Sequence, residues 1–304
     1  MKLAIIGFGE AGSALAQGLA SEPVLTGLAV SCFDVKSLEP ETAKEIDARA
    51  TKSGVIVCHT LDQALSNAGL IFSTVTAGSA LDVARSVAGV MEHVQDQPPT
   101  PPLFFDMNSV APGTKRQAAE YISRARMAYV DTAVMAPIHP RLHQTPMLLA
   151  GPDAEAALAR LTDWGMDLRA VGAETGRASA IKMLRSVAVK GLEALSAEMA
   201  LAAIRAGVED EVIASLDASY PGFDWGGRTA YNLERMATHG RRRAEEMEEV
   251  VRTLEELGIS PDLTTGTVER QRRFGDSDLD LSTTPEDLHE RAQATLKALA
   301  AQKM

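Results

Sequence analysis

The chain has 304 residues, of which 45% are hydrophobic and 23% charged, enough apolar material for a sizeable core and for more than one domain. Its 30 lysines and arginines face 41 acidic residues, and the resulting net charge of -11 argues against a nucleic-acid partner. No run approaches about 20 apolar residues and no cleavable hydrophobic segment is visible, so we expect a cytoplasmic protein with no membrane partner.

The first half of the chain alternates short apolar runs with helix-like stretches. Strands are predicted at residues 2–6, 27–34, 54–58, 70–74, 103–107, 129–134 and 146–149. This alternation is typical of βαβ units, in which parallel strands form a sheet covered by helices on both faces. We therefore predict an α/β Rossmann-type, doubly wound sheet in a dinucleotide-binding domain at residues 1–175.

The second half is predicted to be an all-α domain at residues 176–304. Residues 234–257 have an apolar stripe at helical spacing, with charged residues on the opposite face. The last helix is predicted to begin at Thr284, which can cap a first turn that contains Pro285. We expect this domain to contribute to substrate binding and to dimerisation.

A glycine-rich segment follows the first predicted strand and opens a helix. It fits the pattern G-x-G-x-x-G and consists of Gly7, Phe8, Gly9, Glu10, Ala11 and Gly12. In this pattern the first glycine permits a tight turn, the second lets the backbone approach a pyrophosphate, and the third lets helix and strand pack closely. The free amides of the helix N-terminus favour the phosphates, so we predict that these six residues bind a dinucleotide.

Asp34 ends the second predicted strand, 22 residues after Gly12. A carboxylate at this place can accept hydrogen bonds from both hydroxyls of the adenosine ribose and would repel a 2′-phosphate. NAD is therefore the predicted cofactor; NADP stays possible because Lys36 and Ser37 lie nearby, and a solvated carboxylate is the alternative for Asp34. Thr74, which ends the fourth strand, is a further predicted cofactor contact.

Lys182 lies on the first long helix of the second half. Lys182, Ser186 and Lys190 are spaced four residues apart, so they lie on one face of this helix, among apolar neighbours. A desolvated lysine beside a positively charged nicotinamide would have a lowered pKa and could exchange a proton with a substrate hydroxyl. The alternative is a lysine that extends to solvent from an interdomain helix.

Four motifs in order resemble those of the β-hydroxyacid dehydrogenases, a family that includes 3-hydroxyisobutyrate and 6-phosphogluconate dehydrogenases. They are GFGEAG at 7–12, DMNSVAP at 106–112, DTAVMAP at 131–137 and GxAxxxK at 176–182. The resemblance covers roughly the first 190 residues and implies that Lys182 is the catalytic acid/base. It also implies that Asn108 contacts cofactor and substrate, and that Ser109 contacts substrate.

The chain departs from this family at two places. Met135, Ala136 and Pro137 stand where the family usually has Ser-Gly-Gly holding the substrate carboxylate, so Met135 and Ala136 are predicted substrate contacts with a different grip. Ser186 stands where the family tends to have asparagine and is a further predicted substrate contact. The second half resembles a less characterised branch with a helical domain of unassigned role.

Arg242 follows His239 and precedes Glu246 on one side of the apolar stripe at 234–257. Arg242, or alternatively Arg243, is predicted to bind an anionic substrate through two parallel hydrogen bonds. A solvated patch paired with the neighbouring glutamates is the other interpretation.

No metal site is predicted, since Cys32 and Cys58 are too few and His139 and His143 lack ligand spacing.

The resulting hypothesis is an NAD(P)-dependent oxidoreductase that transfers hydride between nicotinamide and an alcohol or carbonyl of a hydroxyacid-like substrate. Its expected partners are an anionic or hydroxylated small molecule and, because family members pair through their helical domains, a second copy of the chain. One alternative is an imine reductase, although those enzymes usually have Asp or Tyr at the position of Lys182. The other is an NAD-binding sensor without turnover.

Overall fold

The computed structural model describes residues 2–93, 100–277 and 279–301. The chain forms two compact units, Met1–Met183 and Leu184–Met304. The division into functional domains at residues 175 and 176 stays a prediction.

Unit 1 contains one sheet, in which the described residues form eight strands in the order β3-β2-β1-β4-β5-β6-β7-β8. The strands are β1 Lys2–Ile6, β2 Ala29–Phe33, β3 Ile56–Val57, β4 Leu70–Ser73, β5 Leu103–Asp106, β6 Ala128–Val134, β7 Met147–Ala150 and β8 Leu168–Ala170. Neighbouring strands are parallel except β6 and β7, which are antiparallel. The order of the first six is that of the Rossmann fold, which confirms the predicted sheet.

Helices cover both faces of this sheet. They are α1 Glu10–Ala20, α2 Pro40–Ser53, α3 Leu61–Leu65, α4 Ala80–Glu92, α5 Pro112–Arg124 and α6 Ala154–Arg160. Helices α1, α2 and α6 contribute to the apolar core on one face, and α3, α4 and α5 to the core on the other. Both faces are therefore buried, as a parallel sheet requires. The ends of the strands are the part of the sheet where a ligand can bind.

The helix α7, Arg177–Ala206, begins in unit 1 and continues in unit 2. Unit 2 further contains α8 Glu209–Ser219, α9 Trp225–Glu256, α10 Asp262–Gly275 and α11 Leu288–Ala301, which confirms that the second half is helical. Helices α9 and α10 approach closely where Gly240 meets Gly275, because a Cβ at Gly240 would lie 2.5 Å from the Gly275 nitrogen.

The predicted start of the last helix at Thr284 is wrong. Helix α11 begins at Leu288, and a side-chain oxygen of Asp287 accepts a hydrogen bond from the Glu290 amide at 3.0 Å. Asp287 is therefore the residue that caps the first turn, since its carboxylate satisfies an amide that has no partner within the helix.

Among the described residues, we find no helix that is both long and apolar enough to cross a membrane.

Candidate active site

The turn after β1 has a conformation that its glycines make possible. Gly7 has a φ of +86°, and a Cβ there would lie 2.7 Å from the Thr74 carbonyl oxygen. A Cβ on Gly12 would lie 2.4 Å from the Gly7 carbonyl oxygen, and the Thr74 hydroxyl donates a hydrogen bond to that same oxygen at 2.6 Å. Thr74 thus holds the turn from β4, and neither glycine can be replaced without moving backbone.

Gly9 differs from these two glycines because its surroundings are open. It is the N-cap residue of α1, and a Cβ added there would meet nothing within 4 Å. No side chain of the described chain caps the helix, so the amides of its first turn, which includes Glu10 and Ala11, are available to an anion. The buried Phe8 side chain packs in the core, which leaves its backbone for the turn.

Asp34 joins the end of β2 to this glycine turn. One of its carboxylate oxygens accepts a hydrogen bond from the Phe8 amide at 2.6 Å, and the other accepts one from the Lys36 amide at 2.9 Å. A carboxylate has about four acceptor positions, so both oxygens can accept further hydrogen bonds. The open glycine turn and this carboxylate at the carboxyl end of β2 fit a dinucleotide.

Asn108 connects the ends of two neighbouring strands. Its side-chain oxygen accepts a hydrogen bond from the Val75 amide at 2.7 Å, just beyond β4. Its side-chain nitrogen donates to the Ser73 hydroxyl at 3.0 Å and to an Asp106 carboxylate oxygen at 2.8 Å. Both amide hydrogens are directed at protein oxygens, so Asn108 shapes the two loops that follow β4 and β5.

Lys182 lies in the second turn of α7 and contacts the loop after β5. Its ammonium nitrogen donates a hydrogen bond to the Ser109 hydroxyl at 2.6 Å, and the side chain is half-buried. The Ser179 hydroxyl donates to the Val110 carbonyl at 2.8 Å, which ties the start of α7 to the same loop. Gly176 precedes the helix with a φ of +95°, and a Cβ there would lie 3.1 Å from the Pro112 carbonyl oxygen at the start of α5, so the position favours glycine.

A buried ionic cluster, not anticipated from the sequence, lies below this loop. It consists of Asp106 on β5, Lys115 on α5, and Asp131 and Tyr129 on β6, each at most 3% exposed. The Lys115 ammonium lies 2.9 Å from a carboxylate oxygen of Asp106 and 3.5 Å from one of Asp131. The Tyr129 hydroxyl donates to Asp106 at 2.7 Å. Charged residues in apolar strand runs were the available signal, because buried charges need partners.

Burial shifts the pKa of two members of this cluster. It raises the pKa of Asp131 above its ordinary value, although the charge of Lys115 acts in the opposite direction. Burial and the nearby Asp106 carboxylate raise the pKa of Tyr129 well above its ordinary value. Tyr129 is therefore a neutral hydrogen-bond donor at physiological pH.

Met135 and Ala136 follow β6 directly. Both are half-buried, and Met135 packs against a small apolar cluster that includes Ala133 and Ala178, the latter one turn before Lys182. This stretch offers apolar surface where the resembling family has a serine hydroxyl.

Two other predicted substrate contacts lie in unit 2. Ser186 is buried on α7. Arg242 has an exposed side chain that lies 3.4 Å from Glu246, whereas the neighbouring Arg243 has only 12% of its side chain exposed and is paired with Glu193. Arg243 therefore stabilises the helical core, and Arg242 is the arginine of the two that remains accessible.

Within unit 1 the structure brings the remaining predicted residues together through a chain of contacts. Asp34 contacts Phe8, Thr74 contacts Gly7, Asn108 contacts Val75, and Lys182 contacts Ser109. Within the described ranges, no group of three or more His, Cys, Asp and Glu is arranged to hold a metal ion. His143 instead hydrogen-bonds Glu22 at 2.7 Å.

Two family models match the chain. The NAD-binding domain of 6-phosphogluconate dehydrogenase matches residues 2–162, and a domain of unknown function, DUF1932, matches residues 203–274. The first of these covers more than half of the chain.

Solved structures agree with this result. A conserved hypothetical protein from Sinorhizobium meliloti 1021 is 32% identical, with a TM-score of 0.73 over 99% of this chain and 96% of that one. A conserved protein of unknown function, described as structurally similar to 3-hydroxyacid dehydrogenases, is 31% identical, with a TM-score of 0.68 over 91% and 97%. The 3-hydroxyisobutyrate dehydrogenase of Mycobacterium tuberculosis shares the fold at 14% identity, with a TM-score of 0.69 over 97% and 99%.

These matches agree with the resemblance inferred from the four motifs. The chain belongs to the family of the NAD-binding domain of 6-phosphogluconate dehydrogenase, among proteins similar to 3-hydroxyacid dehydrogenases.

Proposed function

We propose that the chain is an NAD(P)-dependent oxidoreductase that acts on a CH–OH group, or the corresponding carbonyl, of a hydroxyacid-like substrate. The observation that supports this most is the 2.6 Å hydrogen bond between Lys182 and Ser109. It lies after β5, at the carboxyl edge of a sheet whose family binds NAD, where open α/β sheets bind their ligands. A cytoplasmic location is part of the same proposal.

The residues that would hold the cofactor are those of the glycine turn together with Asp34 and Thr74. The turn would present backbone amides to the pyrophosphate, and Asp34 would accept the ribose hydroxyls. Thr74 keeps the turn in place through Gly7. When bound, the nicotinamide supplies the acceptor or donor of hydride.

Lys182 would move the proton. In the oxidative direction its neutral amine accepts the proton of the substrate alcohol, and in reduction its ammonium returns that proton to the carbonyl oxygen. Ser109, the hydrogen-bond partner of Lys182, orients the amine and contacts the substrate hydroxyl. Because the Asn108 amide is already bonded to both strand ends, its contribution is to fix the Ser109 loop next to cofactor and substrate.

Substrate recognition would combine apolar and charged contacts. In unit 1, Met135 and Ala136 are the proposed contacts for an apolar part of the substrate. In unit 2, Ser186 stays a predicted contact for a hydroxyl, and Arg242 stays one for an anionic group. The exposed Arg242 guanidinium supports this assignment, since it lies 3.4 Å from a Glu246 carboxylate that is also paired with Lys190 at 2.7 Å.

A substrate screen tests the proposal. Purified protein would be mixed with NAD or NADP and a panel of hydroxyacids and aryl-substituted alcohols, and the reduced-nicotinamide absorbance would be followed. We expect turnover of at least one hydroxyacid. Cofactor binding with no turnover of any compound would instead favour a sensor. Turnover of cyclic imines with NADPH alone would favour an imine reductase, a class whose members share this fold.

The variant Asp34→Asn is expected to shift cofactor preference toward NADP. Its side chain retains an acceptor for the Phe8 amide but loses the charge that repels a 2′-phosphate, so the NADP to NAD affinity ratio should rise about tenfold. Titration of each cofactor by fluorescence measures both affinities. Asp47→Asn, on the exposed face of α2, is the control, and an unchanged ratio in Asp34→Asn would contradict the assigned role.

A homodimer is the proposed assembly. Leu184, Leu192 and Leu195 on α7 have 44%, 38% and 60% of their surface exposed, and three large apolar side chains along one helix favour burial against a second copy. Light scattering should give twice the mass of the chain. A monomer at micromolar concentration would contradict the proposed dimer but would not bear on the proposed reaction.

A further inference from the structure

The buried ionic cluster Asp106, Lys115, Asp131 and Tyr129 is directly bonded to both segments that carry the proposed proton-transfer pair. An Asp106 carboxylate oxygen accepts the Asn108 amide at 3.1 Å, one residue before Ser109. An Asp131 oxygen accepts the Ser179 amide at 3.0 Å, three residues before Lys182. The Asp106 carboxylate therefore holds the loop after β5, and the Asp131 carboxylate holds the first turn of α7.

Lys115 links these two carboxylates. Besides its contacts with Asp106 and Asp131, its ammonium donates a hydrogen bond to the Asp106 backbone carbonyl at 2.6 Å. Asp106 and Asp131 are paired residues on the neighbouring strands β5 and β6, so two like charges lie side by side. The single ammonium between them offsets their repulsion, and the amides at the start of α7 favour the Asp131 carboxylate.

Burying such a cluster has a large desolvation cost. Removing charges from water costs several kcal/mol for each ion, and apolar residues of similar volume are often as stabilising. What ionic hydrogen bonds supply is a fixed direction and distance. Here each direction ends at a backbone amide beside Ser109 or Lys182, and misplacement of a reacting group by about 1 Å can cost about 100-fold in rate.

We infer that Asp131 and Lys115 are positioning residues that set the Lys182 amine against the Ser109 hydroxyl by holding the start of α7 to the loop after β5. This inference rests on the proposed function, because it assigns the purpose of the cluster to the proton-transfer pair. Lys115 acts through the two carboxylates, and Asp131 acts through the Ser179 amide.

The test compares two replacements of Asp131 that are matched in size and charge. Asp131→Asn keeps an oxygen that accepts the Ser179 amide, whereas Asp131→Leu removes it. Both leave Lys115 paired with Asp106, so no uncompensated carboxylate remains buried. Lys115→Met is the third variant; it leaves two buried carboxylates and is included only if circular dichroism shows native folding.

The first readout needs neither substrate nor cofactor. Lysine acetylation with a trace reagent, followed by mass spectrometry, gives the reaction rate of Lys182 relative to the exposed Lys44 in the same molecule. In Asp131→Leu the relative rate should change by about tenfold, as expected when a bond that fixes the environment of an ionic group is lost. In Asp131→Asn it should stay within about twofold of the unmodified protein.

The second readout is kinetic, with a substrate found in the screen. Asp131→Leu should lower kcat by about 10- to 100-fold with the NAD dissociation constant unchanged, and Asp131→Asn should retain most of kcat. Equal labelling and equal kcat in the two variants would overturn the inference. A labelling contrast without turnover of any compound would support the positioning role and count against the enzyme proposal, so the two failures are distinguishable.

Discussion

Replacement of Lys182 by methionine is expected to lower kcat by about 10²- to 10⁴-fold, the usual contribution of a positioned acid or base. Methionine keeps the length and apolar character of the side chain but can neither accept nor donate the proton. The dissociation constant for NAD should change little, because Lys182 is not among the residues that we propose hold the dinucleotide, which are the glycine turn, Asp34 and Thr74. Steady-state rates from reduced-nicotinamide absorbance, combined with fluorescence titration of NAD, measure both quantities.

Lys44→Met is the control for this loss. Lys44 is an exposed lysine on α2, so the same chemical change there should leave kcat within about twofold. If Lys182→Met retained full kcat, Lys182 would not be the proton carrier. If it lost NAD binding as well, the lysine would contribute to cofactor affinity rather than to the chemical step.

The second large effect is expected for Gly12→Ala. The added methyl group would lie 2.4 Å from the Gly7 carbonyl oxygen and 2.8 Å from the Thr74 hydroxyl. The Gly7 carbonyl belongs to the turn and is hydrogen-bonded by the Thr74 hydroxyl. The methyl group can therefore be accommodated only if α1 moves away from β1. We expect a loss of about 1–3 kcal/mol in the free energy of unfolding, as for other overpacked sites, together with a weakening of NAD binding by at least about tenfold.

Gly89→Ala is a matched control, since Gly89 also lies within a helix, α4, and a Cβ there would meet nothing within 4 Å. Alanine is the better helix former by about 1 kcal/mol, so this variant should be as stable as the original protein or more stable. Denaturant unfolding of both variants gives the comparison. A Gly12→Ala protein that was stable and bound NAD normally would contradict the described packing of the glycine turn.

The sequence was most informative where the structural cause is local. Strand β1 was predicted at its observed bounds, Lys2–Ile6, because a short apolar run ends at a glycine. The turn that follows needs residues without a Cβ at positions 7 and 12, a requirement that only glycine meets. The three-residue strand β8, Leu168–Ala170, was not predicted, since so short a strand carries almost no periodic signal.

Contacts between distant segments could not be predicted in the same way. Asp106 and Asp131 each begin one of the sequence motifs, but nothing in the sequence shows that they lie side by side with Lys115 between them; the pairing of β5 with β6 brings them together. Similarly, Arg242 and Arg243 are adjacent in sequence, yet one is exposed and the other is paired with the buried Glu193. Which of two neighbouring arginines faces inward depends on the partner helix.

We propose that Lys182 and Ser109 lie beside the reactive ring of the bound cofactor. A crystal structure of the protein with NAD and a bound hydroxyacid tests it most directly. We expect the Lys182 nitrogen to lie within about 3.2 Å of the substrate hydroxyl, or to reach it through one water, and the pyrophosphate to lie on the turn at Gly9. A nicotinamide ring bound away from Ser109, with the Lys182 nitrogen directed into solvent, would contradict the proposed role of Lys182 as proton carrier.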